Sequence, residues 1–423
     1  MRTNTIKEPV PQELIDRVGI EFYSRWKEYK LGDIAEITSS KRIFFSDYVT
    51  SGIPFYRSKE IIEKALGDNI STDLFIPIEK FKEIKEKFGA PVNGDILISA
   101  VGERAGIPYC VNNDGDFYFK DGNLIWFRNF NSAISSNFLV YYFNSSIGQQ
   151  RLESTMIGSA QKALTIIGLK NLEVAFPSFT EQTAIASILS SLDDKINLLH
   201  RQNKTLEQLA ETLFRKWFVE DAEESWEVGK LDDLVSVKGG TTPSTTIPEY
   251  WEGSICWTTP RDLSNHNSVF LFNTERKITE AGLAKIGSGL LPIGTVLLSS
   301  RAPIGYLAIT EMPVAINQGY IAILCNKKVS NYYIYLWCKA NLEEIQNSGN
   351  GSVFQEISKT TFKDLNVLIP SNGKLIDFNK MIEPTFQKIK SNATQIRTLT
   401  QLRDTLLPKL MSGEVRVEID LLR

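Results

Sequence analysis

Trp26-Lys-Glu-Tyr-Lys30-Leu31-Gly-Asp33-Ile34 returns 200 positions later as Trp226-Glu-Val-Gly-Lys230-Leu231-Asp-Asp233-Leu234. The interval recurs further on, where Gly94-Asp-Ile-Leu97-Ile-Ser99 meets Gly294-Thr-Val-Leu297-Leu-Ser299, again 200 positions apart. Leu169-Lys170-Asn-Leu172-Glu-Val174-Ala-Phe-Pro177 meets Phe362-Lys363-Asp-Leu365-Asn-Val367-Leu-Ile-Pro370 at an interval of 193, so the second copy is shorter by 7 residues between these anchors. Copies of this length are too long for a solenoid repeat, and the chain reads as a duplicated module.

Each module has two parts. The first, Trp26 to Pro177, carries short apolar runs such as Asp95–Val101 and Asn123–Arg128 between glycines and prolines, which predicts strands and turns. Helix is expected at Glu79–Phe88 and Asn137–Asn144. The part reads as an α+β domain with an irregular, largely antiparallel sheet.

The second part is a long helix. From Ile185 the seam runs Leu189, Leu192, Ile196, Leu199, Asn203, Leu206, Ala210, Leu213 and Trp217, in alternating steps of 4 and 3. That is a heptad seam with one polar position. Thr180 is the expected N-cap, with Glu181 in the first turn. The duplicate seam reads Phe378, Ile382, Thr385, Ile389, Asn392, Ile396, Leu399, Arg403, Leu406 and Leu410, with Pro384 and Pro408 as possible kinks or ends and Ser412-Gly413 as the stop. Helices of about 40 residues would be about 60 Å long and would expose their stripes unless paired. Duplication about a pseudo-twofold axis pairs them antiparallel, and Asn203 and Asn392 then either help fix the register or sit at the solvent edge of the seam.

Composition bounds the function. The chain has 423 residues, a prior of two to three domains, and a formal charge of −3 from 47 Lys+Arg and 50 Asp+Glu. It is not a polycation, but a local basic patch remains open. Cys110, Cys256, Cys325 and Cys338 form no C-x-x-C pair, and His200 and His266 are the only histidines. Neither a metal nor a disulfide framework is expected. The N-terminus lacks a signal-peptide core and no long apolar run occurs, so a cytoplasmic location without membrane contact is expected.

The alternation of module, long helix, module, long helix resembles the specificity (S) subunit of Type I restriction-modification enzymes. The resemblance is carried by the exits Leu169–Pro177 and Phe362–Pro370. In the first helix it is carried by Leu192-Asp-Asp-Lys-Ile196 and Leu213-Phe-Arg-Lys-Trp-Phe218. Leu406-Leu-Pro-Lys-Leu-Met-Ser-Gly-Glu-Val415 is the most family-like string, and Lys230-Leu231-Asp-Asp233 with Lys238-Gly-Gly-Thr-Thr-Pro243 and Ser299-Ser-Arg301-Ala-Pro-Ile-Gly305 agree.

The resemblance implies an α+β chain with two mixed α/β target recognition domains in a pseudo-twofold arrangement, separated by two long helices that form an antiparallel coiled coil. The expected boundaries are an N-terminal segment at 1–25, recognition domains at 26–178 and 222–371, a spacer at 179–221, and a second spacer with the tail at 372–423. Residues 1–25, helix-like at Gln12–Tyr23, are expected to pack on the C-terminal helix. The coiled-coil contacts expected are Leu192, Ile196, Leu199, Asn203, Leu206, Leu213, Ile389, Asn392, Ile396, Leu399 and Leu406. Each domain would read one half of a bipartite, asymmetric site in double-stranded DNA, with the helices setting the half-site separation. Two modification (methyltransferase) subunits would dock near Phe214–Glu220 and Leu407–Val415, with Trp217 and Leu410 as contacts, and restriction subunits would join them. No cofactor is expected in this chain, while S-adenosylmethionine, ATP and Mg belong on the partner subunits. The chain itself would be non-catalytic.

Base edges are read by Arg, Lys, Asn and Gln, and phosphates by Lys, Arg, Ser and Thr. Such residues in loops beside glycines are the DNA candidates. In the first module they are Lys41, Arg42, Arg57, Ser58, Lys59, Arg104, Lys120, Gln161 and Lys162. In the second they are Lys238, Thr241, Thr242, Thr258, Thr259, Arg261, Arg301, Asn317, Gln318, Ser352 and Gln355. Arg104 and Arg301 lead, each beside a glycine just after a buried strand. The phosphate-cradling G-x-x-x-x-G-K-[ST] loop and the amino-methyltransferase Asn/Asp-Pro-Pro-Tyr/Phe motif are absent from the sequence, which argues against a motor or a methylase in this chain. The rival readings are a coiled-coil interaction protein that binds no DNA and a fused restriction-methylation enzyme.

Overall fold

The computed structural model describes residues 26–67, 70–158, 162–264, 266–301, 303–350 and 355–417. The expected helix at Gln12–Tyr23 and the candidates Gln161 and Ser352 lie outside the described residues. The described chain forms two compact units, one of residues 26–195 with 398–417 and the other of residues 196–397. Each unit therefore takes part of both long helices.

In the first unit a four-stranded antiparallel sheet runs Glu36–Thr38, Leu124–Arg128, Ile96–Ser99, Pro108–Cys110 in spatial order. A smaller sheet joins Ile53–Tyr56 to Phe75–Ile76 antiparallel and to Tyr118–Phe119 parallel. A two-stranded ribbon, Lys27–Lys30 with Glu173–Phe176, ties the start of the module to its exit. The expected helices are Ile78–Phe88 and Ser136–Asn144.

The second unit repeats this plan. Its main sheet gains a fifth strand and runs Ser236–Gly239, Tyr320–Leu324, Val296–Ser299, Leu307–Thr310, Phe270–Leu271. The smaller sheet joins Trp251–Thr258 to Arg276–Ile278 antiparallel and to Ala315–Ile316 parallel. The ribbon is Glu227–Lys230 with Asn366–Ile369. The sheets are thus largely antiparallel, with parallel pairs at three places.

The long helices are Phe179–Arg215 and Asn372–Ser412. The first begins one residue before the expected cap: Ser178 Oγ accepts from the Glu181 N–H, and Thr180 lies inside the helix. The second runs through both Pro384 and Pro408 without ending and stops at Gly413, where φ is +74°. The stop suits glycine, because a side chain there meets both a left-handed backbone and the Trp26 ring.

Within each unit the two helix segments run antiparallel and bury their stripes against each other and against the module. In the second unit Ala210, Phe214 and Phe218 join Phe378, Ile382, Phe386 and Ile389 with Tyr333, Leu336 and the sheet residues Val296 and Ile321 in one core. In the first unit Ile185 and Leu189 join Leu402, Leu406, Leu410 and Met411 with Phe138, Phe143 and Ile96. The buried stripe moves off the strict heptad near residue 214. Phe214 and Phe218 are buried while Leu213 and Trp217 are half-exposed, and the helix turns to π geometry over Lys216–Glu220. The step from Ala210 to Phe214 is already four residues where the heptad calls for three, and the π turn follows it.

Of the expected coiled-coil residues, Ile196, Leu199, Ile389, Asn392 and Leu406 are buried; Leu192, Asn203, Leu206, Leu213, Ile396 and Leu399 are half-buried. Asn392 Nδ2 donates to Asn203 Oδ1 at 2.9 Å, and Asn203 Nδ2 donates to the Ile389 carbonyl at 3.3 Å. Arg403, polar on the seam, meets Asp193 at 2.8 Å.

Phe378 meets Phe214, Phe218 and Trp217 with ring centroids 6.0, 4.8 and 5.8 Å apart. Replacing this fully buried ring removes the contact that both helices and the module share. Phe378→Ala should lower the unfolding free energy of its unit by about 3–5 kcal/mol, read as a lower urea midpoint. A parent-like midpoint would show that the aromatic cluster is not what closes this core.

Candidate nucleic-acid interface

In the first unit the main strands Glu36–Thr38 and Ile96–Ser99 end where Leu124–Arg128 begins, since Thr38 pairs with Trp126 and Ser99 with Leu124. The loops after these strands and before the third therefore emerge at one end of the sheet. Ile53–Tyr56 ends there too, because the Lys120 N–H donates to the Tyr56 carbonyl at 2.9 Å. Lys41, Arg42, Arg57, Arg104 and Lys120 sit on these loops, and Ser58 and Lys59 open the helix Ser58–Ala65 that follows one of them. Lys162 joins them, since its carbonyl accepts from the Gly102 N–H at 3.3 Å.

The second unit gathers the duplicate loops in the same way. Gly239 pairs with Ile321 and Ser299 with Tyr320, and the Ser300 N–H donates to the Gly319 carbonyl at 2.8 Å. Thr241, Thr242, Thr259, Arg261, Asn317 and Gln318 surround this end. Gln355 is exposed beside Glu356, which bridges to Arg301. Lys238 lies on the adjoining strand, its Nζ 3.2 Å from the Ser288 carbonyl.

Carboxylates that were not among the sequence candidates hold several of the cations. Arg42 pairs with Asp121 at 2.8 Å, and the duplicate position carries a neutral pair, Thr242 Oγ1 donating to Gln318 Oε1 at 2.7 Å. Glu60 accepts from the Arg57 backbone N–H at 2.8 Å and from its guanidinium, which raises the Arg57 pKa. Burial of Glu60 opposes its charge, but the bonds from Arg57 and the backbone outweigh it, and the carboxyl titrates below its usual range. Asp262 caps the Thr259 N–H in the duplicate turn at 2.8 Å. The three-residue spacing of Arg57–Glu60 and Thr259–Asp262 is the visible signature of such a cap.

Thr258 departs from its expected role. It is fully buried, with Oγ1 3.2 Å from Asp262 and 3.4 Å from the Tyr320 hydroxyl, so it supports the turn and presents nothing to a ligand. Arg261 is exposed, with Glu275 4.0 Å away, and Arg301 lies 3.9 Å from Glu356. Lys41 and Lys120 are exposed. Among the described residues Arg104 has no ion-pair partner.

The two leading arginines hang from the same device. Ser99 and Ser299 are fully buried at the strand ends. Ser99 Oγ accepts from the Ile107 N–H at 3.0 Å and donates to the Arg104 carbonyl. Ser299 Oγ accepts from the Gly305 and Tyr306 N–H groups at 3.0 and 2.8 Å and donates to the Pro303 carbonyl at 2.8 Å. Gly106 and Gly305 adopt φ of +93° and +121°, which an L side chain resists. The arginine turns are thereby fixed from below. Of the docking candidates, Trp217 is half-buried against Phe378, and Leu410 is 2 % exposed within the first unit's core.

Among the described residues no group of three or more His, Cys, Asp and Glu is placed to hold a metal, and no helix is long and apolar enough to cross a membrane. The cysteines are free thiols.

Residues 23–208 and 223–399 each match the model of the Type I restriction modification DNA specificity domain. The chain is 39% identical over 163 residues to the Type I restriction enzyme MjaIX specificity subunit of Methanocaldococcus jannaschii, an alignment covering 38% of each protein. It is 25% identical to the HindI specificity subunit of Haemophilus influenzae, across 93% of this chain and 100% of that one. The crystal structure of the Type I restriction-modification S subunit from M. genitalium superposes with a TM-score of 0.60 at 18% identity, covering 93% of this chain and 96% of that one.

Removing the serine that ties an arginine turn should loosen the turn without unfolding the sheet. Ser299→Ala removes the hydroxyl partner of the Tyr306 N–H and the Pro303 carbonyl at a cost of about 1–3 kcal/mol, while the Gly305 N–H keeps the Ser299 carbonyl at 3.1 Å. The expected result is faster amide exchange at Tyr306 with the exchange of Val296–Leu298 unchanged. Unaltered exchange at Tyr306 would mean that the turn holds itself.

Proposed function

The chain belongs to the Type I restriction-modification DNA specificity family, a non-catalytic DNA-recognition component that works in a complex, and we propose how its loops carry out that recognition. The observation that carries the proposal is the gathering of the candidate side chains at one sheet end in each of two duplicated units. The recognition domains are taken as 26–178 and 222–371, the spacers as 179–221 and 372–423, with 1–25 as a separate segment. Each domain presents its sheet end to double-stranded DNA and reads one half of a bipartite site. Lys41, Arg42, Arg57, Ser58, Lys59, Lys120, Gln161 and Lys162 serve the first half. Lys238, Thr241, Thr242, Thr259, Arg261, Asn317, Gln318, Ser352 and Gln355 serve the second. Arg104 and Arg301, on turns fixed by buried serines, are preorganised for base edges.

The long helices act as the spacer between half-sites, with the separation of two readers on one DNA face near one helical turn, roughly 34–36 Å. Two methyltransferase subunits, carrying S-adenosylmethionine, dock on the helices, and restriction subunits, using ATP and Mg, complete the assembly in the cytoplasm. The burial of Leu410 moves the docking proposal to exposed apolar positions near Trp217, of which Val219 is 59% exposed. Val219→Glu should abolish co-purification of the methyltransferases while leaving the thermal melt of the chain unchanged; full assembly would remove this surface from consideration.

The reading itself is tested by selecting bound duplexes from a random library with the assembled complex. Two short conserved blocks of different sequence at fixed spacing are expected, and a pool without enrichment would overturn it. Against the selected site, Arg104→Ala should weaken binding by about 1–3 kcal/mol and relax the sequence requirement in one block only, with Arg301→Ala relaxing the other. Equal relaxation of both blocks by either variant would show that the domains do not read separate halves.

A further inference from the structure

An exposed aromatic pair stands beside the basic loops of the first unit, with most of its surface left in solvent. Phe44 is 63% and Phe45 89% exposed, although burying a phenyl ring is worth about 1.5–3 kcal/mol. The pair follows Arg42, whose guanidinium is fixed by Asp121, and opens a single 3₁₀ turn, Phe45–Asp47. That turn is anchored rather than loose. The Asp47 carboxylate accepts from the Phe44 N–H at 3.1 Å and lies 3.7 Å from Lys80. The Phe45 ring meets Tyr48 edge-on at 6.0 Å, and Tyr48 packs on Phe55 at 5.3 Å, within the strand that leads to Arg57. The phenyl rings are therefore held outward from a fixed base beside Arg42.

The second unit carries the same device with different side chains. Its 3₁₀ turn is Pro248–Tyr250, again between the loop after the first main-sheet strand and the strand that leads to the capped turn at Thr259. Ile247 is 36% exposed and Pro248 is exposed. The turn is anchored by Trp251, whose Nε1 donates to the Ser244 carbonyl at 3.0 Å. An exposed apolar pair at the same place in both copies is a recurring feature, and single surface hydrophobes are not.

Apolar side chains held outward among cations fit one partner chemistry above others. Phosphates engage the cations while the apolar group enters between adjacent base pairs and unstacks them. We propose that Phe44–Phe45 and Ile247–Pro248 are wedges that open a base step in the DNA at each half-site. The proposal rests on the DNA-reading function proposed for the chain and adds a recognition mode to it. A wedge reads the ease with which a step unstacks, so it favours flexible pyrimidine–purine steps without contacting base edges.

The test uses the assembled complex and its library-selected duplex, with 2-aminopurine placed at successive positions and thymines probed by permanganate. Wild type should show one position of raised 2-aminopurine fluorescence or permanganate reactivity in each half-site. Phe45→Ala should abolish the signal in the first half-site only and weaken binding roughly 5- to 150-fold, the range for losing one stacked aromatic. Its dependence on salt should stay unchanged, since a phenyl ring neutralises no phosphate. Phe45→Trp should restore the signal. Specific binding by wild type without an unstacked step would overturn the wedge and leave the DNA reading standing. Loss of methyltransferase assembly in Phe45→Ala would make the pair a protein contact and overturn the wedge. A library with no selected sequence would overturn the DNA reading and the wedge with it.

Discussion

Neither module closes its core without helix, and the packing of the two helix segments against each sheet is the constraint on which the rest depends. Phe378 is the clearest case. It touches the other helix through Phe214 and Phe218 and the module through Tyr333, whose ring lies 6.5 Å away. The mirror arrangement in the first unit uses Leu402, Leu406 and Leu410 against Ile185 and Leu189. A stripe shared between a helix partner and a module cannot be a narrow coiled-coil seam, and it widens accordingly: Phe386 and Ala393 are buried outside the heptad positions.

Polar groups inside this packing set register rather than add stability. Asn392 is fully buried, and its Oδ1 has no partner, although its amide nitrogen is satisfied by Asn203 and Gln202. An unpaired buried oxygen costs free energy that a leucine there would not. Sliding the helices by one heptad would break the Asn203–Asn392 bond and set Asn392 against Ile196 or Ala210, at greater cost, so the native register is favoured over these alternatives. Asp193–Arg403 and Glu181–Arg416 act similarly in the first unit, since each bridge joins the two helices, or a helix and the tail beyond it, at one alignment.

Much of this was legible in the sequence because duplication makes periodicity readable twice. The strands at Ile96–Ser99 and Val296–Ser299, the helices at residues 78–88 and 136–144, and both long helices follow from local pattern. What escaped depends on pairings distant in sequence. Thr258 reads as a loop hydroxyl, but its strand is extended by a bulge at Trp251–Ile255 and is sealed by Tyr320, 62 residues away. Leu410 looks like a free helix end until the first module covers it. The shift from Leu213 and Trp217 to Phe214 and Phe218 follows from two successive four-residue steps after Ala210, taken because the module's core lies on that side of the helix. Ser99 and Ser299 stand out in the sequence as the end of a repeated stretch, and Ser299 as the start of a family-like string, but neither pattern shows that a buried hydroxyl below the turn holds each arginine loop.

The two units keep a common scaffold and change only what it presents. Where the first sets Arg42 against Asp121, the second sets Thr242 against Gln318. Arg42 spends its Nε–H on Asp121 and offers only donors with the rest of its guanidinium, whereas a neutral hydroxyl–amide pair can offer donors and acceptors together. Where the first has Phe44–Phe45, the second has Ile247–Pro248. The supports beneath are nevertheless alike: a carboxylate capping Arg57 or Thr259, a serine beneath Arg104 or Arg301, and a glycine with positive φ in each arginine turn. Selection on the loops can therefore change what is read without disturbing the core. Side chains this different at matched positions present different donors, acceptors and apolar surface at the two sheet ends.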